Sequence, residues 1–178
     1  TALRAVVWTG LPQLEEVGDG WLSKCPALVC ISFEGLSRLE TVGNKWLHAC
    51  RALLVVAFHG LGTLSSVGHQ WLSHCPLVET ILYDGLYSLR AVGDSWNRRC
   101  PELGRVELRD LCDLRIIGSR WLKHCRHLRT INPHVLTSLL YLGQKYLRYC
   151  ISLDPTTDLT GLMRARERLA IADPRTLW

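Results

Sequence analysis

Residues 28–52 read L-V-C-I-S-F-E-G-L-S-R-L-E-T-V-G-N-K-W-L-H-A-C-R-A, and this pattern recurs along the chain with a fixed period of 25 residues. In each copy a glycine is followed after three positions by an aromatic residue, and after seven positions by a cysteine. The glycines are Gly18, Gly43, Gly68, Gly93, Gly118 and Gly143; the aromatic residues are Trp21, Trp46, Trp71, Trp96, Trp121 and Tyr146; the cysteines are Cys25, Cys50, Cys75, Cys100, Cys125 and Cys150. Self-similarity at a fixed period of this length predicts a solenoid of stacked units.

Each unit begins with a stretch typical of a short strand that has one buried face. Apolar positions such as Leu28, Ile31 and Phe33 alternate with outward-facing positions such as Cys30 and Ser32. One unit cannot cover its own apolar stripe, so the units are expected to stack as a parallel sheet at about 4.8 Å per strand. The six units begin near Leu3, Leu28, Leu53, Val78, Leu103 and Leu128.

The rest of the unit predicts a return segment and then a short helical turn. The return segment, residues 36–42 in the second unit, is apolar at every third position, which suits an irregular or extended chain. The glycine is expected to permit a backbone bend, and the polar residue after it is expected to cap the helical turn. Asp19, Asn44, Asp94 and Ser119 occupy the capping position, and Pro26, Pro76 and Pro101 follow the cysteine, where they would end a helix.

The array is predicted to span residues 1–153 and to be truncated at its N-terminus, because the first unit starts with no capping segment before it. Later units depart from the pattern: Asn97 replaces leucine, Pro133 replaces the strand aromatic and Tyr146 replaces tryptophan. Proline cannot donate a ladder hydrogen bond, so the sixth strand is expected to be poor. Residues 154–178 are predicted to form a C-terminal helical cap, with an amphipathic helix over 157–171.

Composition is that of an ordinary globular chain, with 48% hydrophobic residues and a net charge of +5. No apolar run approaches the roughly 18 residues that cross a bilayer, so no membrane insertion is expected. The charge is uneven: residues 1–89 carry 5 Lys/Arg and 7 Asp/Glu, whereas residues 90–178 carry 16 and 9. The second half therefore has an electrostatic character that the first half lacks.

The repeat resembles the leucine-rich repeat family over residues 3–153. L-x-x-I-x-F followed by later leucines is similar to the family's strand signature, and V-G-x-x-W-L-x-x-C-x-x-L resembles the BspA-like class, which carries I-G-x-x-A-F-x-x-C-x-x-L. The chain departs from that class in having Trp-Leu for Ala-Phe, and Gly-Leu after the strand where Leu-Pro is common. The resemblance implies an α/β leucine-rich repeat solenoid, here of six strand–loop–short-helix repeats. It also implies a binding scaffold, often on the surface of bacteria or protists, with no catalytic residues to transfer.

The in-register cysteines are predicted to form a ladder of buried, unpaired thiols. Parallel neighbours keep their Cβ atoms about 4.8 Å apart, beyond the usual disulfide separation of about 3.8 Å. In the His74–Cys75 and His124–Cys125 pairs, adjacency directs the two side chains apart, which argues against a metal site. Cys30 points out of the strand and is either a reactive thiol or a passive one. Unpaired thiols favour a reducing compartment, whereas the family resemblance allows the cell surface.

The sequence indicates no catalytic or cofactor site. The tryptophan column is interpreted as core rather than as a stacking platform for nucleic-acid bases. The histidines have no nucleophile or acid partner at a recurring position, so neither a Ser-His-Asp nor a Cys-His arrangement follows from the spacing. We therefore predict no catalytic residue, no metal, no cofactor and no enzymatic activity.

The exposed face of the strands is the first candidate site. Its residues change type from unit to unit while core positions hardly vary, and an apolar centre has charge around it, as in a protein interface. The candidate partner-binding residues are Val55, Ala57, His59, Thr80, Leu82, Asp84, Arg105, Glu107 and Arg109. A solvated sheet face without a partner is the alternative interpretation.

A basic ridge on the turns of the last three units is the second candidate site. Its residues are Arg98, Arg99, Arg120, Lys123, Arg126, Lys145 and Arg148. Stacked, they can meet the phosphates of a nucleic acid or another polyanion, or they form an ordinary solvated surface. Binding of a protein partner through the strand face is the main prediction, and polyanion or nucleic-acid binding through the ridge is the alternative.

Overall fold

The computed structural model describes residues 4–8 and 10–169 of the chain. Each repeat contributes two short strands, and the chain then passes through a run of turns to the next repeat. The first strands are β1 (Ala5–Trp8), β3 (Cys30–Phe33), β5 (Val55–Ala57), β7 (Thr80–Tyr83), β9 (Arg105–Leu108) and β11 (Thr130–Ile131). The second strands are β2 (Glu16–Val17), β4 (Thr41–Val42), β6 (Ser66–Val67), β8 (Ala91–Val92), β10 (Ile116–Ile117) and β12 (Tyr141–Leu142). A 3-10 helix (Pro133–Val135) and an α-helix, α1 (Thr160–Leu169), complete the described part.

All strand pairing is parallel and keeps the 25-residue offset of the sequence. The second strands form one six-stranded sheet in the order β2-β4-β6-β8-β10-β12, whereas the first strands form two three-stranded sheets, β1-β3-β5 and β7-β9-β11. Equivalent side chains therefore lie one above the other, and each repeat covers the apolar stripe of the next. The predicted parallel solenoid is confirmed. The second sheet lies where the sequence predicted only an irregular or extended return segment.

Two columns of aromatic rings fill the centre of the solenoid. Successive tryptophans from Trp21 to Trp121 stack with ring centroids 5.0–5.5 Å apart and planes within 14° of parallel. Phe33, Phe58 and Tyr83 form a second stacked column that meets the tryptophans edge to face. Each such pair adds about 0.5–1.5 kcal/mol beyond the burial of its surface. The four later tryptophans are fully buried, so the prediction that this column is core is confirmed.

Asn97, which departs from the repeat pattern, belongs to a buried chain of hydrogen bonds. The Trp96 Nε1–H donates to the Tyr83 hydroxyl (2.8 Å), and that hydroxyl donates to Asn97 Oδ1 (2.9 Å). Among the described residues, the buried indole N–H groups of three other tryptophans have no hydrogen-bond partner. The asparagine is therefore matched to the tyrosine that replaces phenylalanine in the same repeat.

The predicted helical turn is wrong. Between the glycine and the cysteine the backbone φ alternates in sign, and in every repeat the positive values fall at the positions of Gln70, Leu72 and His74 (63°, 48° and 60°). This alternation points successive amides in opposite directions: Gln70 N–H donates to Asp94 O in the next repeat, and Leu72 N–H donates to Trp46 O in the preceding one. Because these amides bond between repeats, the bonds from residue i to i−4 that define an α-helix cannot form.

The residue predicted to cap a helical turn instead caps the next repeat. Asp19 Oδ1 accepts a hydrogen bond from the backbone N–H of Asn44 (2.7 Å), and His69 Nδ1 accepts one from Asp94 N–H (2.8 Å). The side chains of Asn44, Asp94 and Ser119 accept the equivalent bond from the backbone N–H of the residue 25 positions later. The acceptor therefore serves an amide one full repeat further along the chain.

Close approach between repeats, rather than a bend, explains the recurring glycine. A Cβ on Gly93 would lie 2.7 Å from the carbonyl carbon of Gly68 and 2.8 Å from the amide nitrogen of His69. Gly93 does not have a positive φ, so a left-handed backbone angle is not the reason for this glycine. The position excludes a side chain because the backbones of consecutive turns touch there.

The in-register thiols are unpaired and donate weak hydrogen bonds. Cys75 Sγ donates to Leu47 O (3.1 Å), and the thiols from Cys50 to Cys150 all make this contact with the residue 28 positions earlier. Burial raises the pKa of Cys50 and Cys150 to about 11, so these thiols keep their protons at neutral pH. The predicted thiol ladder is confirmed, with half-buried members at its two ends, and Cys30 is exposed as expected.

The array ends in the way that Pro133 predicts. Strand β11 has only two residues, and the Asn132 side chain continues the pairing by accepting a hydrogen bond from Leu108 N–H (2.8 Å) and donating one to Leu108 O (3.0 Å). Helix α1 then packs on β12 and the 3-10 helix, so the predicted capping helix is present. It begins at Thr160 rather than at the predicted 157, and positions 170–178 lie outside the described residues. No helix in the described part is long and apolar enough to cross a membrane.

Candidate functional site

The predicted strand-face residues are brought together on one side of the solenoid, in three columns. Val55, Thr80 and Arg105 are exposed in the first column; Leu82 and Glu107 are half-buried in the second, beside Ala57; His59, Asp84 and Arg109 follow the strand ends in the third. Ala57 belongs to β5 by its backbone, and its side chain lies outside the described part of the structure. The alternation predicted from the sequence thus places these positions on the outer face of the first strands.

A break in the hydrogen-bond ladder divides this face between the third and fourth repeats. On either side of it, an amide just before the strand bonds to the preceding repeat: Leu54 N–H donates to Val29 O, and Gly104 N–H donates to Glu79 O, both at 2.8 Å. Among the described residues no hydrogen bond joins Glu79 N–H to Leu54 O, and β5 does not pair with β7. Strands β6 and β8 remain paired at the same junction, so the opening is confined to the strand face.

A groove of about 520 Å³ opens at this break. Five of the nine predicted residues line it: Val55, His59, Thr80, Leu82 and Asp84. The apolar surface is substantial there, because Val55 is 58% exposed and the neighbouring Leu54 is 43% exposed. The groove therefore lies at the apolar centre that the sequence predicted for the face.

The structure adds Leu54, Val56, Phe58 and Glu79 to the residues that line the groove. Leu54 and Glu79 directly precede the strands of the structure, and the outward columns predicted from the sequence begin one residue later, at Val55 and Thr80. An exposed leucine directly before a strand was the available signal for Leu54. Phe58 belongs to the aromatic core, and only the opening of the sheet brings it to the groove.

Charged side chains pair with one another on the far side of the groove. Glu107 contacts Arg105 and also Arg109, with 3.0 Å between Oε2 and the Arg109 Nη2. Arg109 Nη1 lies 3.8 Å from Asp84 Oδ2. Exposed ion pairs of this kind contribute only about 0–1 kcal/mol each, so they can be exchanged for pairs with a partner at small cost.

The seven predicted ridge residues also lie together, on the turns rather than on helices. Arg98, Lys123 and Arg148 form one column and Arg120 and Lys145 a second, and Arg99 and Arg126 complete the set. Within the described part of the chain none of the seven forms an ion pair with a carboxylate. The ridge is therefore a positive surface without internal ion pairs among the described residues, with Asp94 in the same groove as Arg120.

A cluster of His48, Ser73 and His74 on the turns was not indicated by the sequence, because His48 and His74 occupy different positions of their repeats. The Ser73 hydroxyl lies 2.8 Å from His48 Nδ1 and 3.3 Å from His74 Nδ1, and the two rings are 5.0 Å apart. Burial, with the charges of His48, Arg99 and Arg98, lowers the pKa of His74 to about 4, so this ring is neutral at pH 7. The described residues contain no group of three side chains that could hold a metal ion.

Comparisons with known proteins agree with this geometry at the level of the fold. No family model and no curated protein matches the chain. A leucine-rich repeat protein from Bacteroides ovatus of known structure is 20% identical, with a TM-score of 0.58 over 80% of this chain; the chain spans only 40% of that protein. The leucine-rich repeat protein of T. pallidum is 18% identical, with a TM-score of 0.54 over 95% of this chain and 85% of its own. This likeness and the 25-residue pattern together show that the protein has the leucine-rich repeat fold.

Proposed function

We propose that the protein is a non-enzymatic repeat scaffold that binds a protein partner through its strand face, at the groove between the third and fourth repeats. The break in the ladder carries this proposal, because unpaired main-chain groups and exposed apolar side chains meet at that place. Unpaired strand edges favour pairing with another chain, and contiguous exposed apolar surface marks interaction sites.

The groove also indicates the chemistry of the partner. An apolar side chain would lie against Leu54, Val55 and Leu82, with a gain of about 25 cal/mol for each Å² of apolar surface removed from water. A basic residue beside it would meet the carboxylates of Glu79 and Asp84. Apolar anchors in a central pocket, with charge at the rim, are how protein interfaces concentrate their binding energy.

The main chain of the partner, or one of its amide side chains, can supply the hydrogen bonds that are missing at the break. The molecule contains an example of such pairing, because the Asn132 side chain bonds to both the N–H and the C=O of Leu108. At the break the free donor and acceptor, Glu79 N–H and Leu54 C=O, belong to two neighbouring repeats. A partner that inserts an asparagine or glutamine between them would accept a hydrogen bond from the first and donate one to the second.

The proposal is tested by comparing Val55→Arg/Leu82→Arg with the control variant Leu77→Arg/Leu140→Arg. Leu77 and Leu140 are 46% and 40% exposed and do not line the groove, so the control adds the same two charges elsewhere. Wild type and both variants are used to capture proteins from a lysate at low and high salt, and each captured protein is purified for measurement of its Kd.

We expect the groove variant to weaken binding about 30-fold, which corresponds to about 2 kcal/mol, the usual loss at a central interface residue. The control should bind as wild type does, and circular dichroism should show that all three proteins are folded. A partner held equally by both variants would refute the strand face as the site. Nucleic acid retained equally by both variants and removed by salt, with no protein lost from the groove variant, would move the function to the basic ridge.

A further inference from the structure

The turns of the last three repeats carry a linear array of positive charge. Arg98, Lys123 and Arg148 are equivalent positions in consecutive repeats, and the Trp96 and Trp121 rings beneath them are 5.3 Å apart. Two such steps spread the column over about 10 Å along the solenoid, close to two strand spacings. Like charges stacked directly opposite one another on neighbouring repeats are destabilising. A bound anion would relieve this electrostatic repulsion.

Among the described residues, no ion pair with a carboxylate neutralises the array. Loss of solvation lowers the pKa of Lys123, and the positive charges of Arg98, Arg148, Lys145 and Arg120 lower it further. The arginines of the strand face, in contrast, are paired with carboxylates. The charge of the ridge is therefore available to an external anion, and that of the strand face largely is not.

A groove of about 540 Å³ beside the ridge has the same sign of charge. Arg51, Arg99 and Arg126 line it together with His74 and His124, two prolines form part of its wall, and none of the described residues that line it is acidic. Guanidinium groups pair with phosphate oxygens through two parallel hydrogen bonds. Three arginines along one groove can therefore hold several consecutive phosphates.

An exposed aromatic ring lies at the end of the ridge. Tyr149 is 46% exposed and stacks on His124, with ring centroids 4.5 Å apart and planes 12° from parallel. The Arg148 guanidinium carbon lies 4.9 Å from the centre of the Tyr149 ring. Aromatic side chains beside a positive track bind unpaired bases by stacking.

We propose that this surface binds a single-stranded nucleic acid, with phosphates along the ridge and its groove and a base against Tyr149. The charges extend over three repeats, a distance that one phosphate cannot span, so a chain of phosphates fits better than a single anion. The exposed ring favours a ligand that carries bases over one that does not. This activity is separate from protein binding at the strand face, because it uses a different side of each repeat.

The proposal is tested by measuring how a fluorescent 12-residue oligothymidylate binds to the whole chain as salt is varied. With about five phosphate contacts, the slope of log K against log salt is about −3.5, and affinity falls about 100-fold between 50 and 200 mM salt. Arg99→Gln/Lys123→Gln/Arg148→Gln removes three contacts and should change the slope to about −1.4.

The matched control is Arg90→Gln/Arg115→Gln/Arg129→Gln, which removes the same charge from exposed residues outside the ridge and should leave the slope near that of wild type. Tyr149→Ala should weaken oligothymidylate binding at least 5-fold without changing the slope, and should leave binding of inorganic polyphosphate unchanged.

Three results would overturn the proposal: no binding of oligothymidylate at 50 mM salt, equal losses in the two triple variants, or polyphosphate binding as tight as that of the oligonucleotide. Thermal unfolding gives a further check, because removing mutually repelling charges should not lower the Tm of the ridge variant. A lower Tm in that variant would contradict the repulsion on which the proposal rests.

Discussion

Gly93→Ala is expected to destabilise the protein strongly, although alanine adds only one carbon atom. The new Cβ would lie 2.7 Å from the carbonyl carbon of Gly68, 2.8 Å from the nitrogen of His69 and 2.9 Å from the Gly68 oxygen, whereas ordinary contacts begin at 3.4 Å. These are backbone atoms that cannot rotate away, so the two repeats must separate by about 0.7 Å. A gap of about 0.5–1 Å removes a quarter to a half of the dispersion attraction at each contact that it opens.

The separation also stretches the hydrogen bonds that join the repeats at this point. Gly93 N–H donates to Val67 O at 2.9 Å, and Gln70 N–H donates to Asp94 O at 2.7 Å. Overpacking costs about 1–3 kcal/mol, and weakening a hydrogen bond costs up to about 1 kcal/mol more. We therefore expect the free energy of unfolding to fall by about 2–4 kcal/mol, a large part of the 5–15 kcal/mol that is typical of domains.

Urea denaturation followed by tryptophan fluorescence measures this loss. Gly62→Ala is the matched control, because a Cβ there meets nothing closer than 3.7 Å, and such a substitution stabilises by about 0.4–1 kcal/mol through the unfolded state. Gly18→Ala changes the equivalent position of the first repeat, where a Cβ meets no described atom within 4 Å, and should resemble the control. If Gly93→Ala and Gly62→Ala unfold at the same urea concentration, backbone contact is not the reason for the glycine.

Three further predictions concern the core and the turns. Tyr83→Phe removes the hydroxyl that links a buried indole to Asn97 and should lower the free energy of unfolding by about 2–3 kcal/mol. The double variant Tyr83→Phe/Asn97→Leu restores the pair found in the two preceding repeats and should recover most of that loss; strictly additive effects would contradict the hydrogen-bond chain. The pKa of His74 is about 4 in the folded protein and 6.5 ordinarily, so the unfolded chain binds the proton more tightly. The free energy of unfolding, measured by denaturation at a series of pH values, should be highest above pH 6.5 and should fall as the pH is lowered towards 4. In His74→Gln this fall should be smaller. At pH 8 a thiol reagent should modify Cys30 and Cys112 rapidly and the six in-register thiols only slowly, as counted by mass spectrometry; rapid labelling of more than two thiols would show that the ladder is open.

Much of the fold could be predicted because the 25-residue pattern places each side chain in the same environment in every repeat. A position such as Trp71 or Cys75 stacks on its own equivalents, so its burial follows from periodicity together with its apolar character. Alternation along a strand likewise placed Val55 and Leu82 on the exposed face, where the groove lies.

The turn was predicted wrongly because its local signals are ambiguous. A glycine followed by asparagine or aspartate is typical of a helix start, yet Asp19 and Asn44 accept hydrogen bonds from amides in the next repeat. Which amide a side chain meets depends on a contact 25 residues away. The role of Asn97, which replaces the leucine of the pattern, could not be predicted for the same reason. Its hydrogen-bond partner, Tyr83, lies on a different part of the repeat.

The sequence by itself determined the period, the stacking of equivalent positions and the division of each strand into a buried and an exposed face. These are properties of a repeating apolar pattern, and stacking the repeats is the way to bury it. Only the tertiary structure decided that the ladder breaks between β5 and β7, that Gly93 touches the preceding turn and that the described ridge residues form no ion pair with a carboxylate. A hydrogen bond is lost within a few tenths of an ångström beyond about 3.2 Å. Whether two neighbouring strands pair therefore depends on how the side chains of two whole repeats fit together. The pattern of one repeat does not specify that fit.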